Sequence, residues 1–485
     1  MVWCTFAESL GRLNGDRFEL CELGYDQAVS YSSRQMADAA AIIDPLLRLS
    51  SIYARVPGMA FGLCHEGEMI LLGAYGVADL ETGQPVDATS TAFRCASITK
   101  TVTATIIMQL VERSRLRLDD SVTVLLPWTK ETFESDLTVR HLLMHAGSVI
   151  RDGSNAWSDA PMPDRATLRA ELAGAATFGK PSERFRYSNI AYSFLGEIAE
   201  AATGRTFEAL VRSNIVKPLG LTSTWPDLTS SARRQLATGY SSSRPGELRA
   251  KATHIEARAI APAGGIVSTV PDLLEYQRAQ LPGDERLLTE LSKREMQRPQ
   301  WQRSEEPHYG LGWMTWHVDG ISIVGHSGGF PGFVTMIGFA PEERIATAVL
   351  TNANSPAAPK GVQLMYHTVA GIGRMWSNAA ATTRWHTRGS LAPYTGLFRL
   401  EGSDLLVSRI NGSLFLIDPE DPAPLSSATR LEPKGKNRFL VATGNDFGFL
   451  GEHVTFRTDH KGRATTLRIG AHLLQREDLA ADSTR

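Results

Sequence analysis

Ser97 and Lys100, a serine and a lysine that could act together as nucleophile and base, stand at the start of the apolar run Ile98 to Leu110. This run predicts a buried helix, on which residues three positions apart lie on one face. A serine hydroxyl needs a neighbouring base, and a lysine can serve only where burial lowers its pKa. The dipole of the helix would favour a neutral lysine and an oxyanion beside the serine. Taken alone, the pair also fits a helix-capping serine followed by a surface lysine.

Two further groups of polar residues follow along the chain. Tyr187-Ser188-Asn189 precedes a predicted helix that ends at Gly204, and His326-Ser327-Gly328-Gly329 falls in a glycine-rich stretch between predicted strands. Glycines let a backbone approach a ligand closely. Each group also has a structural explanation by itself: Tyr187 as a core tyrosine, Asn189 as a helix cap and His326 as a strand-edge histidine.

Together and in this order, the three motifs resemble those of the serine β-lactamase and penicillin-binding-protein superfamily. The similar branch contains class C β-lactamases, D-aminopeptidases, DD-carboxypeptidases and β-lactamase-type carboxylesterases, in which S-x-x-K, Y-x-N and K/H-x-G occur in sequence. Supporting stretches are Leu142-Leu143-Met144-His145, Ala263-Gly264-Gly265-Ile266-Val267-Ser268-Thr269 and Tyr309-Gly310-Leu311-Gly312-Trp313. The resemblance covers roughly residues 50 to 370.

The resemblance implies a catalytic role for three residues. Ser97 would be the acylated nucleophile, Lys100 its hydrogen-bonded base, and Tyr187 a second proton carrier for the leaving group and for deacylation. A phenol near two amines could be partly ionised, and we expect this of Tyr187. Asn189 would hold Lys100 or the acyl amide of the substrate.

The resemblance also implies a substrate-binding edge. His326 would line the site in place of the lysine of β-lactamases, which weakens a β-lactamase interpretation. The backbone N–H groups of Ser97 and Gly329 would form the oxyanion hole, and Gly328 would belong to the same substrate-binding edge. The stretch His145-Ala146-Gly147-Ser148 departs from the usual His-Thr-Ser-Gly, and for His141 and His145 we predict structural roles.

The predicted fold class is α+β. It comprises an antiparallel sheet flanked by helices with an all-helical subdomain, as in β-lactamases and transpeptidases, followed by a small all-β, lipocalin-like barrel. Short alternating runs separated by turns such as Asn411-Gly412 and Lys461-Gly462 indicate the barrel. The predicted division is an N-terminal extension over 1–33, a serine hydrolase domain over 34–376, a linker over 377–389 and the barrel over 390–485.

Composition excludes several classes of function. A formal net charge of −2 gives no reason to expect a nucleic acid partner. No run of 18 apolar residues predicts a membrane span, and the N-terminus does not resemble a signal peptide, so we expect a cytoplasmic protein. Four cysteines without a C-x-x-C pair predict neither a zinc site nor a disulfide framework, and Cys95 is predicted to be a small buried side chain. We expect no metal and no cofactor, and a homo-oligomer stays open.

The sequence thus predicts a serine hydrolase that cleaves a small ester or amide through an acyl-enzyme, similar to carboxylesterases or D-aminopeptidases. An acyltransferase using the same acyl-enzyme, a β-lactamase and a non-catalytic ligand-binding or scaffold protein are the alternatives. Substrate specificity is expected to reside in the segments 149–178 and 238–260 and in the β domain, where no residue pattern identifies the substrate.

Overall fold

The computed structural model describes residues 30–133, 136–153, 162–172, 179–242, 248–379, 390–400, 403–443 and 449–477. Residues 1–29 of the predicted N-terminal extension and 380–389 of the predicted linker lie outside this part of the chain. The division into domains therefore stays a prediction, and the elements are described one by one.

An antiparallel sheet of seven strands dominates the described part of residues 58–351, with the strand order β2-β1-β9-β8-β7-β6-β5. A separate pair, β3 with β4, joins Phe93 to Ser268 and Arg94 to Val267. The strands are β1 Gly58–His65, β2 Glu68–Gly76, β3 Phe93–Arg94, β4 Val267–Ser268, β5 His308–Tyr309, β6 Met314–Val318, β7 Ile321–Phe330, β8 Phe333–Ala340 and β9 Ile345–Thr351.

Two strand-like runs of the sequence, 58–64 and 68–77, predict a hairpin, and β1 and β2 form it by pairing from Gly58 with Gly76 onward. Strand β7 is longer than the predicted strand at 322–325, because it continues through His326 to Phe330 and pairs with β8 along this length. The stretch 326–330, which we placed between two strands, is therefore itself strand. Glycines are tolerated here because the neighbouring backbone approaches closely.

Helices cover both faces of the sheet. They are α1 Ser33–Tyr53, α2 Thr99–Glu112, α3 Val122–Leu125, α4 Val139–Leu143, α5 Arg165–Leu172, α6 Asn189–Thr203, α7 Phe207–Val211, α8 Lys217–Leu219, α9 Ser230–Gln235, α10 Ala261–Gly264, α11 Val270–Arg278, α12 Glu290–Gln297 and α13 Ala357–Ala379. Helix α1 begins with a capping box between Ser32 and Gln35. Helix α13 is longer than its predicted range of 362–372. None of the helices in the described ranges is long and apolar enough to cross a membrane.

The alternation of side chains along the sheet divides the apolar core into two clusters. Ala60 and Ala348 belong to the cluster that contains α2, α6 and α11, whereas Phe61 and Val349, which pair across β1 and β9, belong to the cluster that contains α1 and α13. Neighbouring residues of a strand point to opposite faces. The sheet therefore separates α2, which follows Ser97, from α1 and α13.

Eight antiparallel strands close a C-terminal barrel. They are β10 Gly396–Leu400, β11 Ser403–Ile410, β12 Ser413–Ile417, β13 Thr429–Gly435, β14 Arg438–Thr443, β15 His453–Thr458, β16 Ala464–Ile469 and β17 His472–Arg476. Asn411 and Gly412 both have positive φ, as a two-residue type I′ turn requires. The α+β class with a small β-barrel is confirmed.

Candidate active site

Ser97 lies in a short 3₁₀ turn, Ala96–Ile98, between β3 and the start of α2. The turn begins with Ala96 at φ 51, in the left-handed region that L-residues rarely adopt. Such a conformation costs on the order of 1–3 kcal/mol and persists only where the surrounding structure enforces it. Ser97 is 5% exposed, so only a small part of it reaches solvent.

The amine of Lys100 is buried against three oxygen atoms. Its Nζ lies 2.6 Å from Asn189 Oδ1, 2.9 Å from the backbone oxygen of Ala263 and 3.1 Å from Ser97 Oγ. The first two oxygens are carbonyls and can only accept hydrogen bonds. A neutral amine has two hydrogens, which these carbonyls take up, so its lone pair faces the hydroxyl of Ser97. This is the geometry of a general base.

Burial is the main reason that the pKa of Lys100 lies well below its ordinary value. The carboxylate of Asp152 opposes this lowering, whereas the guanidinium of Arg151 adds to it. A neutral lysine is therefore the form that the site favours.

Tyr187 packs against both members of the pair. The Lys100 Nζ lies 4.8 Å from the centre of the Tyr187 ring, and the Tyr187 hydroxyl interacts with Ser97. Burial nevertheless raises the pKa of Tyr187 above its ordinary value, and the interaction with Ser97 only reduces this effect. The expected partial ionisation is therefore wrong for the free site, in which Tyr187 is a neutral phenol.

His326 is fully buried and takes part in a chain of hydrogen bonds. The backbone N–H of Ser188 donates to His145 Nδ1 at 3.1 Å, so the neutral ring of His145 carries its proton on Nε2. This Nε2 lies 3.1 Å from the hydroxyl of Tyr309, which lies 3.0 Å from His326 Nε2. His326 Nδ1 then donates to the backbone oxygen of Ser327 at 2.6 Å. In every hydrogen bond of this series, one donor therefore meets one acceptor.

Both histidines of this chain are fully buried and neutral. Burial is the main reason that the pKa of His326 is lowered to about 3, and burial also lowers the pKa of His145 well below its ordinary value. His326 therefore does not supply the positive charge of the lysine that it replaces. The ring of His145 lies 4.3 Å from that of Tyr187, so it supports the tyrosine directly.

The glycine motif lets β7 lie close to the turn that carries Ser97. A Cβ at Gly328 would be 2.1 Å from the backbone oxygen of Cys95 and 2.3 Å from Thr335 Oγ1. Gly329 is exposed and a Cβ there would meet nothing within 4 Å. Cys95 is buried as predicted, and burial raises the pKa of its thiol to about 12.

The structure thus gathers Ser97, Lys100, Tyr187 and Asn189, with β7 alongside. Sequence analysis missed four neighbours of this group: Arg151, Asp152, His145 and Tyr309. Tyr309 lies in a stretch noted only as a supporting resemblance, and His145 was given a structural role. Asp152 falls in the segment 149–178, for which we predict a role in substrate specificity but in which no sequence pattern distinguishes Asp152. Within the described residues, no group of three or more metal-binding side chains occurs.

Comparisons with known proteins agree with this geometry. The profile of the beta-lactamase family matches residues 40–371. Protein flp of Staphylococcus aureus strain N315 is 25% identical over 362 residues, which cover 70% of this chain and 70% of that protein. The crystal structure of SurE with D-Leu has a TM-score of 0.55 at 25% identity and covers 92% of this chain and 100% of that one. D-amino acid amidase from Ochrobactrum anthropi SV3 has a TM-score of 0.60 at 24% identity, covering 68% and 98%.

The chain belongs to the beta-lactamase family, because the family profile spans most of its length. This confirms the resemblance to serine β-lactamases and penicillin-binding proteins that the three motifs indicated.

Proposed function

We propose that this chain is a serine hydrolase that cleaves a small amide or ester through an acyl-enzyme on Ser97. The observation that carries the proposal is the placement of Lys100, whose two hydrogens are taken up by carbonyl oxygens while its lone pair faces Ser97 Oγ at 3.1 Å. Activation by an adjacent neutral base is what a serine nucleophile needs at neutral pH.

In this proposal, Lys100 removes the proton of Ser97 as Oγ bonds to the acyl carbon of the substrate. The backbone N–H groups of Ser97 and Gly329 stabilise the oxyanion, a contribution of about 3–4 kcal/mol for one donor. Tyr187, protonated in the free site, passes its proton to the leaving group and becomes a phenolate, while Lys100 holds the proton of Ser97. The phenolate then takes a proton from the water molecule that attacks the acyl carbon, and Lys100 returns its proton to Ser97 Oγ as the acid is released.

For the substrate, we favour an amide with a D-amino acid on its acyl side. This is supported by the similarity to SurE, whose structure with D-Leu aligns over most of both chains. D-amino acid amidase shares the fold. An ester is the second substrate class, because an acyl-enzyme forms from either. The neutral His326 argues against a β-lactamase, since it offers no cation for the carboxylate of an antibiotic.

A fluorophosphonate probe with intact-mass measurement tests the proposal. We expect one adduct on the wild-type protein, none on Ser97→Ala, and labelling slower by orders of magnitude on Lys100→Ala. A panel of D- and L-amino-acid p-nitroanilides, p-nitrophenyl esters and nitrocefin then ranks the substrates. Folded wild-type protein that takes no label would instead support the non-catalytic, ligand-binding alternative.

A further inference from the structure

A second chain of hydrogen bonds leads from Lys100 toward the surface. Asn189 Oδ1 accepts from Lys100 Nζ at 2.6 Å, and Asn189 Nδ2 donates to Asp152 Oδ1 at 2.5 Å. The other carboxylate oxygen, Asp152 Oδ2, lies 3.2 Å from Arg151 Nε. The side chain of Asp152 is 22% exposed and that of Arg151 is 44% exposed. The chain therefore runs from a fully buried amine to a partly solvated ion pair.

The chemistry of these groups dictates which way the amide of Asn189 points. A carboxylate only accepts hydrogen bonds, so it requires the NH₂ group of the amide on its side. The carbonyl oxygen of the amide is then turned toward Lys100. With the amide reversed, two acceptors would meet at Asp152 and leave a buried polar group unsatisfied, and the NH₂ group would donate to the lone pair of Lys100 and take it from Ser97.

We propose that Asp152 is a positioning residue that holds Asn189 in the orientation in which the lone pair of Lys100 faces Ser97. The inference rests on the proposed function, because it assigns Lys100 the role of the base. Without this constraint, Asn189 could rotate and release one hydrogen of Lys100. The amine would then turn that hydrogen, instead of its lone pair, toward Ser97 Oγ.

Asp152 and Arg151 also place opposite charges near the base. Asp152 favours the charged form of Lys100 and Arg151 disfavours it. The other titratable groups around the amine are the rings of Tyr187 and Tyr192, at 4.8 and 5.6 Å from Nζ, and the neutral His145 and His326. Since these four are uncharged near neutral pH, Arg151 and Asp152 are the neighbours whose replacement changes the charge around Lys100.

The test measures the rate of Ser97 labelling by the fluorophosphonate from pH 5 to 10 in four full-length proteins. In the wild type, the rate rises with pH as Lys100 loses its proton. Asp152→Asn keeps an oxygen that can accept from Asn189 but removes the charge, so the rise moves to lower pH while the plateau is kept within about tenfold. Arg151→Gln moves the rise to higher pH. Asp152→Ala removes the acceptor too, and its plateau falls on the order of 100-fold, as expected for a displaced catalytic group.

Two outcomes would overturn the inference. One is an Asp152→Ala plateau equal to that of Asp152→Asn in protein shown to be folded by circular dichroism. The other is a shift of Asp152→Asn and Arg151→Gln in the same direction. Asp319→Asn, which alters an ion pair with Arg374 on the far side of the sheet, is the matched control and should leave the profile unchanged.

A second readout is independent of catalysis. Lysine labelled with ¹³C at Cε reports the titration of Lys100 by NMR, with Lys100→Met identifying the signal. Opposite shifts of this titration in Asp152→Asn and Arg151→Gln support the inference even if the wild type takes no label, which would sink the proposed function alone. Titrations that do not move in either variant contradict it.

Discussion

Lys100 is held by a hydroxyl, an amide carbonyl and a backbone carbonyl, and its side chain has no exposed surface. Burial lowers its pKa in the folded state, whereas in the unfolded chain it titrates near 10.4. Between these two values the unfolded state binds one more proton than the folded state. Stability therefore rises with pH in this window, by up to about 1.4 kcal/mol per pH unit.

The variant Lys100→Met lacks this proton, which gives a prediction for stability. The free energy of unfolding of the wild type minus that of Lys100→Met should increase as the pH is raised from 7 to 9.5. Urea unfolding at four pH values measures the difference, and the other titrating groups largely cancel in it. A difference that does not change with pH would mean that Lys100 stays charged in the folded protein and is not the base.

Tyr309 is the residue on which the two buried histidines depend. Tyr309→Phe removes the hydroxyl that accepts from His145 and donates to His326, so each ring loses a partner. We expect the free energy of unfolding to fall by about 1–3 kcal/mol, because buried polar groups are left without a hydrogen bond. Labelling of Ser97 should slow as well, because His145 supports the ring of Tyr187.

Tyr366→Phe is the control for this variant. Its hydroxyl is equally buried but donates to the backbone oxygen of Gly338 instead of bridging the two histidines. It should lose stability and keep the labelling rate. If Ser97 is labelled at the same rate in Tyr309→Phe and Tyr366→Phe, the Tyr309 hydroxyl contributes to stability alone.

At the scale of the element, the approach of β7 to the Ser97 turn depends on Gly328. In Gly328→Ala the new methyl would collide with the backbone oxygen of Cys95, so strand and turn must separate. Overpacking of this kind costs about 1–3 kcal/mol. We expect that loss of stability in thermal unfolding together with slower labelling of Ser97. In Gly329→Ala the methyl has open space, and stability should stay within about 0.5 kcal/mol. Similar losses of stability in Gly328→Ala and Gly329→Ala would show that the close approach of Cys95 does not explain the glycine at position 328.

The elements differ in how well the sequence predicts them. The β1–β2 hairpin and the barrel strands follow from alternating patterns and turn residues close together in the chain, and they were predicted. The contacts of Asp152 with Asn189 and of His145 with Tyr309 join residues that are 37 and 164 positions apart. They depend on how separate elements pack, which local periodicity does not encode. The motif order located the proposed nucleophile, but not the residues that surround it.

At the scale of the whole molecule, the barrel packs on the face of the sheet opposite Ser97. Barrel residues such as Leu406 and Ile410 belong to the apolar cluster of α1 and α13. Polar contacts reinforce this packing, because Tyr53 hydrogen-bonds Asp404, and Asp38 accepts from the backbone N–H of Asn411 at 2.8 Å. The contacts between the barrel and α1 therefore lie on the face of the sheet opposite Ser97 and α2.

Asp38 offers a way to weaken this contact selectively, since its Oδ2 also accepts from the indole of Trp376 at 3.2 Å. In Asp38→Ala both donors lose their acceptor, so the free energy of unfolding should fall by about 1–3 kcal/mol. Hydrogen exchange of β11 and β12 should accelerate. The labelling rate of Ser97 should stay the same, because Asp38, Trp376 and Asn411 lie on the face of the sheet opposite Ser97. Asp421→Ala, which alters hydrogen bonds within a barrel loop only, separates loss of docking from loss of barrel stability. A labelling rate that falls in Asp38→Ala but not in Asp421→Ala would mean that docking of the barrel is transmitted through the sheet to Ser97.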